Sequence, residues 1–511
     1  MLQQGVGKSS SLSFLRIGAY PISSTDTLIF KPRNNQKKWE TKIPIDWNAD
    51  PFEDRNWQMS LESWRILDGY FTQYEKTKDV RHLRLSFKVM QDWYDFHIKH
   101  ANFSKFAWND MSTAYRADRL SKFLDWSGEL HLFSNEENLL LLQLAYLHIE
   151  YLTTIDNISP DNHGVFEVAG LTRLCKVVPY ISKCGDVKNW IIQITDDLTQ
   201  RQFGPDGLQR EHSFGYHMFM VNIYNQLIRE DVLPLSNLSQ NLFIKASQTR
   251  KWLYDPTGKL VPVGDTEDDI PDDLIHSKND FTSETMNLFP QDGLAIVRTP
   301  KAGLWFYAFH HSRAHKHDDD LAFYLWDQGQ PLLIDAGKYA YVYDDKRRHI
   351  YGRFAHNTAI IPNLKVPGSR TPYGSGIRTL EKIGNEYVAV GEVGFDNGVV
   401  HHRELTYMPG KRLIIKDHVS GLTEKVGINF LLSPQLEKIS EENGTLVFSS
   451  ATVKVSIKTK NPRCSLETYR GFHQGSKMRG WYTLSYGILK PTWNATYTCP
   501  SNQDIITEIQ Y

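Results

Sequence analysis

Residues 310–340 read HHSRAHKHDDDLAFYLWDQGQPLLIDAGKYA, and the fold of the chain's second half turns on this stretch. Ala322, Tyr324 and Trp326 alternate with Phe323 and Leu325, the period-2 pattern of a strand packed on both faces. Leu332, Leu333 and Ile334 form a second apolar run that ends in Asp335-Ala336-Gly337. Asp327-Gln328-Gly329-Gln330 between the runs predicts a turn, so the second strand returns alongside the first. His315 and His317 lie two apart, which on an extended backbone points both side chains to one face. Asp335 then arrives on a neighbouring strand, where a His and an Asp can share one metal ion. His356, within Ala355-His356-Asn357-Thr358, offers a third ligand. Each residue taken singly reads as a solvated polar side chain; together they point to a site.

Outward from this stretch, 511 residues are too many for one ordinary core and imply two domains, or three. The 13 Trp and 25 Tyr fill cores for the most part, and such rings also serve as stacking platforms in carbohydrate clefts. A net charge of −1 supplies no global field for nucleic acid or a strongly anionic polymer, so no nucleic-acid partner is expected and any polyanion must meet local basic groups. Cys175, Cys184, Cys464 and Cys499 contain no CxxC pair, and neither a zinc ribbon nor a disulfide framework is expected. The opening MLQQGVGKSSSLSFLRIGAY lacks the apolar core of a signal peptide. The most apolar segment, 139–149, is interrupted by Gln143 and His148 and is too short to span a bilayer. A bacterial cytoplasm is the default compartment, and the oligomeric state is left open.

Residues 1–45 are polar, without sustained period, and read as an N-terminal extension. Apolar residues then recur at three- and four-residue spacing over 61–77, 82–100, 117–130, 135–155, 166–181, 186–203, 213–230 and 235–254. Such helices joined by short polar loops suggest hairpins arranged in a ring or solenoid, though no repeat of fixed period is present. Asp265-Thr266-Glu267-Asp268-Asp269 and Pro271-Asp272-Asp273 read as an acidic connector. Beyond it come β-like runs at 294–298, 304–309, 387–393, 403–407, 412–417, 428–432, 445–448 and 453–457, several separated by turns such as Asn397-Gly398, Pro409-Gly410 and Asn443-Gly444. Helices first and strands afterwards predict an α+β chain of two segregated domains: an (α/α) toroid over 46–285, then an antiparallel β-sandwich over 286–511.

Three motifs in the helical half are polar for their surroundings. Trp108-Asn109-Asp110-Met111-Ser112-Thr113-Ala114-Tyr115-Arg116 precedes a helix, where Asp110 or Ser112 reads equally well as a cap and Arg116 as a surface residue. Asp161-Asn162-His163-Gly164 opens another, with Asn162 again a candidate cap. In the segment 206–217, Glu211, His212 and Tyr216 stand out, but Tyr216 shares a helical stripe with Phe219, Met220, Ile223 and Leu227 and competes as plain core.

The set Asn162-His163-Gly164, Glu211-x-Ser213-x-x-Tyr216-His217, His315-x-His317-x-Asp319 with Asp335-x-Gly337, and Ala355-His356-Asn357-Thr358 resembles the heparinase II/III family of polysaccharide lyases. The resemblance implies β-elimination on a uronic-acid-containing, acidic polysaccharide. It assigns Asn162 and His163 to neutralising the substrate carboxylate, Tyr216 to proton donation and, in a syn elimination, to the base role too, and His315 to the base of the opposite stereochemistry. Arg116, Glu211 and His212 are implied to bind substrate. His317, Asp335 and His356 match the family's Zn²⁺ ligands, a structural ion in the β-domain that orients the segment holding His315. The missing signal peptide suggests processing of a bacterial exopolysaccharide. Lys346-Arg347-Arg348 with Arg353 reads as a local anion site or a solvated loop. The competing readings are a toroid-fold glycoside hydrolase using Glu211 with Asp161 or Asp110, and a non-catalytic glycan-binding protein.

Overall fold

The computed structural model describes residues 27–32, 37–267, 283–364, 370, 374–421 and 424–511. The expected N-terminal extension is thus described only from residue 27, and Asp268-Asp269 with Pro271-Asp272-Asp273 lies outside the described residues. The three- and four-residue apolar spacing folds as helices Arg55–Glu62, Asp68–Thr77, Arg81–Tyr94, Asp110–Leu130, Asn135–Leu152, Asn162–Val177, Ser182–Gln202, Phe214–Arg229 and Asn237–Thr249. Local signals set several of their ends. Asp54 caps the first by accepting from the Asn56 and Trp57 amides. Ser134 and Glu137 form a reciprocal capping box. The stretch 61–77, expected as one helix, breaks at Trp64, whose φ of +56° ends the turn. Its fully buried indole packs edge-on against Trp93, with ring centroids 5.5 Å apart, and that packing overrides local helical preference. None of the described helices is long and apolar enough to cross a membrane.

The strands follow the period-2 pattern. Gln328 (φ +53°) and Gly329 (φ +82°) form the two-residue turn between Ala322–Asp327 and Gln330–Leu333, as that segment predicts. In a five-stranded antiparallel sheet with Thr285–Phe289, Leu294–Thr299 and Ala302–Tyr307, the central strands are buried at nearly every position. Their alternate residues feed two cores. Val297, Leu304, Phe306, Phe323 and Leu325 face one shared with Leu405, Ile415, Phe430 and Tyr497 of an eight-stranded and a four-stranded sheet. Ile296, Trp305, Tyr307, Tyr324 and Trp326 face a second one, shared with Leu208, Phe214, Met218 and Val261. Sheet-on-sheet packing around the first core is the sandwich arrangement.

Residues up to 201 with 222–240 form one compact unit, and 202–221 with 241–511 form the other. The segment carrying Glu211, His212 and Tyr216 therefore groups with the strands, because its apolar residues fill the second core. Helices first and antiparallel sheets afterwards is the order predicted.

The expectation of no disulfides is corrected. Cys175 pairs with Cys184 across the connection between two helices, and Cys464 with Cys499. The second follows from register: Ser465 opposes Thr498, which brings the preceding and following cysteines opposite each other. Replacing Cys464 and Cys499 by Ser is expected to cost about 2–4 kcal/mol. Equilibrium denaturant unfolding checks this, and an unchanged midpoint contradicts it.

Candidate active site and metal centre

The segment 311–321 is a loop, not the strand expected, and His315 sits there at φ +53°. The buried Lys316 ammonium pairs with Asp319 and lies 3.6 Å from Asp320, ion pairs at helical spacing that bend the chain. His315 and His317 therefore do not share a strand face. What brings them together is Asp265, whose Oδ2 accepts from His315 Nδ1 at 2.6 Å and whose Oδ1 accepts from His317 Nε2 at 3.0 Å. The Tyr351 hydroxyl donates to the same carboxylate at 2.6 Å. Burial works to raise the Asp265 pKa, but the two imidazoles overcome it and hold the carboxyl well below its ordinary range. Asp265 escaped the sequence reading because its acidic neighbours made it look like part of a connector.

His212, expected to bind substrate, instead clamps this loop. Its Nε2 accepts the His311 amide at 2.8 Å, so Nδ1 carries the proton and donates to the Ala314 carbonyl at 2.9 Å. Burial and the nearby Lys316 charge hold its pKa well below the usual value, so the ring is neutral. With both nitrogens committed and the residue 2% exposed, it has nothing left for a ligand.

Tyr216 stands at the start of its helix, partly buried, while Met220, Ile223 and Leu227 of the same stripe are fully buried. The Tyr216 ring lies 4.1 Å from the His315 ring, centroid to centroid, and its hydroxyl is hydrogen-bonded to the Tyr341 hydroxyl. Glu211, also buried, brings a carboxylate oxygen to 3.6 Å from His315 Nε2. Lys338, paired with Glu267 at 2.9 Å, places its ammonium 5.5 Å from the Tyr216 ring and 4.9 Å from that of Tyr341. Burial, reinforced by Tyr341, Asp265 and Glu211, drives the Tyr216 pKa far above its ordinary value, which keeps the phenol protonated.

His317, Asp335 and His356 converge as predicted: one ligand atom from each lies within 4.8 Å of the others, all three buried. Asp335 follows the strand Gln330–Leu333, and its Oδ2 accepts from the Tyr307 hydroxyl at 2.6 Å and from His356 Nδ1 at 2.8 Å. His317 donates through Nε2 and His356 through Nδ1, which leaves His317 Nδ1 and His356 Nε2 buried with no hydrogen-bond partner. Two bare imidazole nitrogens beside a carboxylate fit a divalent cation. The Asn357 amide splints the region by donating to the Phe323 and Ile334 carbonyls at 2.8 and 2.9 Å and accepting from the Leu431 amide at 2.7 Å. An ion held here would tie the 317 loop to the 335 strand end and the 356 turn. Chelation of metal-loaded protein is expected to lower Tm by about 5–10 °C, reversibly on adding zinc back. Thermal scans check this, and an unshifted Tm contradicts it.

In the first unit, Arg116 is fully buried, which corrects both its reading as a surface residue and its expected role of binding substrate. Its guanidinium donates to the Glu62 and Ala107 carbonyls and to His148 Nε2 at 3.0 Å, with Trp93 and Trp108 rings 4.4 and 5.4 Å away. Burial lowers its pKa to about 9. It is a brace. Asp161 caps the helix Asn162–Val177 by accepting the His163 amide at 2.9 Å, so the Asn162 side chain is not the cap. His163 Nδ1 lies 2.8 Å from Asp110 Oδ2, and its side chain is 41% exposed. Of the expected basic cluster, Arg353 is buried and donates to the Ala359 carbonyl, Arg348 pairs with Asp345, and Arg347 stacks on Tyr343 and Tyr351, so no single anion site unites them.

Residues 23–241 match the heparinase II/III N-terminus, and residues 282–503 match the heparinase II/III-like C-terminal domain. A solved heparinase III superposes with a TM-score of 0.72 at 17% identity, over 91% of this chain and 79% of that one. A heparinase III gene product with methylated lysines gives 0.71 at 16% identity, covering 94% and 82%. Heparan sulfate lyase HepC from Pedobacter heparinus gives 0.67 at 15%, covering 94% and 81%. At these identities the shared property is the fold, a helical toroid followed by sheets. No curated protein matches the chain in sequence.

Proposed function

The chain belongs to the heparinase II/III-like family of polysaccharide lyases, and from that premise we propose that it cleaves a uronic-acid-containing polysaccharide by β-elimination. The observation that carries the reading is the close contact of the Tyr216 and His315 rings, tilted by 31° with centroids 4.1 Å apart, and the phenol kept protonated by its surroundings. The C5 proton of a uronate is too weakly acidic to leave while the adjacent carboxylate bears full charge. Asn162 and His163 are assigned to hydrogen-bond that carboxylate and stabilise the enolate-like charge. His315, whose Nδ1 is committed to Asp265, has Nε2 to accept the C5 proton. The electron pair released forms the C4–C5 double bond, the C4–O bond breaks, and Tyr216 protonates the departing oxygen. The raised pKa of Tyr216 favours this donor role over that of a base. Glu211 lies 3.6 Å from His315 Nε2, and Asp110 is engaged by His163, so each of these carboxylates is committed to an imidazole, which does not favour the two-carboxylate hydrolase.

Zn²⁺ is the proposed ion, since two imidazoles and a carboxylate suit it. When bound it supplies a cross-link that fixes the loop two residues from His315, with no part in the elimination. Two disulfides favour a compartment that keeps thiols oxidised over the cytoplasmic default. An acidic exopolysaccharide is a fitting substrate. The test is a screen of uronate polymers, followed by the ultraviolet absorbance of the unsaturated uronate. A rise with at least one polymer supports the reading; new reducing ends without absorbance would identify a hydrolase.

A further inference from the structure

The Asp265 carboxylate, 3% exposed, is an acceptor shared by the metal ligand His317 and the candidate base His315. Its backbone position is tightly built. Gly264 precedes it at φ +62°, where a Cβ would come within 2.1 Å of the His212 carbonyl oxygen. Thr266 follows it, and its Oγ1 accepts the Gly215 amide at 2.9 Å and lies 3.1 Å from Ser213 Oγ, which in turn accepts the Tyr216 amide at 3.2 Å. One short segment thus holds the start of the Tyr216 helix and both histidines.

A carboxylate only accepts hydrogen bonds, and a neutral imidazole carries one N–H. Each histidine facing Asp265 must therefore place its proton on the nitrogen that faces it. We infer that Asp265 is a positioning residue that couples the metal centre to the proton-transfer pair by fixing the tautomers of His317 and His315 together. It leaves His317 Nδ1 without a hydrogen-bond partner, open to the ion, and assigns the C5 proton to His315 Nε2, which has the Glu211 carboxylate 3.6 Å away. The catalytic half rests on the elimination reading, whereas the metal half does not.

Two variants test it, with zinc affinity measured by competition against a chromophoric chelator without substrate and kcat measured at saturating zinc. Asp265→Leu removes both acceptors, and zinc affinity is expected to fall about 10–100-fold with kcat at least about tenfold lower. Asp265→Asn keeps one acceptor and turns a donor toward the other ring. One of the two properties is then expected to stay near wild type while the other falls by those factors, with KM little changed. An Asn variant that keeps both properties, or loses both, overturns the tautomer coupling, as does a Leu variant that keeps either. If the Leu variant does not fold, the Asn variant decides alone. If the wild type makes no unsaturated product, the elimination reading fails by itself, and the zinc arm still tests the hold of Asp265 on His317.

Discussion

Tyr216→Phe is expected to fold normally and to lose about 10²–10⁴-fold in kcat. The substitution keeps the ring, so the tilted ring contact with His315 and the contact with Phe219, 6.2 Å away by ring centroid, survive. What disappears is one hydroxyl and its hydrogen bond to Tyr341. As packing, that hydroxyl contributes about 1 kcal/mol at most. As the acid that protonates the departing oxygen, it sets the rate. KM is expected to change little, because the proton is given up only in the transition state. Steady-state kinetics with a melting curve on the same preparation checks both halves. Activity within a few-fold of wild type would return Tyr216 to the core stripe that its spacing also permits.

Asp417→Ala is expected to cost about 3–5 kcal/mol of stability, enough to unfold a marginal domain. Asp417 is fully buried and accepts from Arg403 Nε and from His401 Nε2, both at 2.7 Å. Removing it leaves a guanidinium in the sandwich core without its counter-charge. Arg403 Nη1 also donates to the Leu321 and Asn357 carbonyls at 2.7 and 2.6 Å, so the loss reaches the turn that presents His356. Burial alone would raise the Asp417 pKa, but the Arg403 charge and the His401 hydrogen bond hold it near about 2. A carboxyl depressed in this way stabilises the fold above its unfolded value near pH 4, and that contribution is lost as the pH falls toward 2. Urea unfolding at neutral pH measures the cost, and a loss below about 1 kcal/mol contradicts it.

Much of this was legible in the chain. Period-2 alternation at 322–326 and the Gln328-Gly329 turn are local signals, and the structure keeps them. The metal trio was legible through the resemblance, which implies His317, Asp335 and His356, although the strand expected to carry His317 is a loop. Features built from distant segments were not. Arg116 reads as a surface residue until Trp64, Trp93 and Trp108, from three separate segments, close around it. Asp265 lies 50 residues before His315, inside an acidic run whose composition says only that it is polar. Cys464 and Cys499 meet through strand register, which spacing along the chain does not reveal. The resemblance implies a substrate-binding role for His212, and its two backbone hydrogen bonds appear only in the folded loop.

The central claim is elimination, and the fate of solvent oxygen tests it most directly. The reaction is run on a uronate polymer in water enriched in heavy oxygen, and the products are weighed by mass spectrometry. Elimination takes no oxygen from water, so the account predicts unlabelled oligosaccharides whose new non-reducing ends are unsaturated and lighter by one water than hydrolysis products. Saturated products carrying one heavy oxygen at each new reducing end would contradict it.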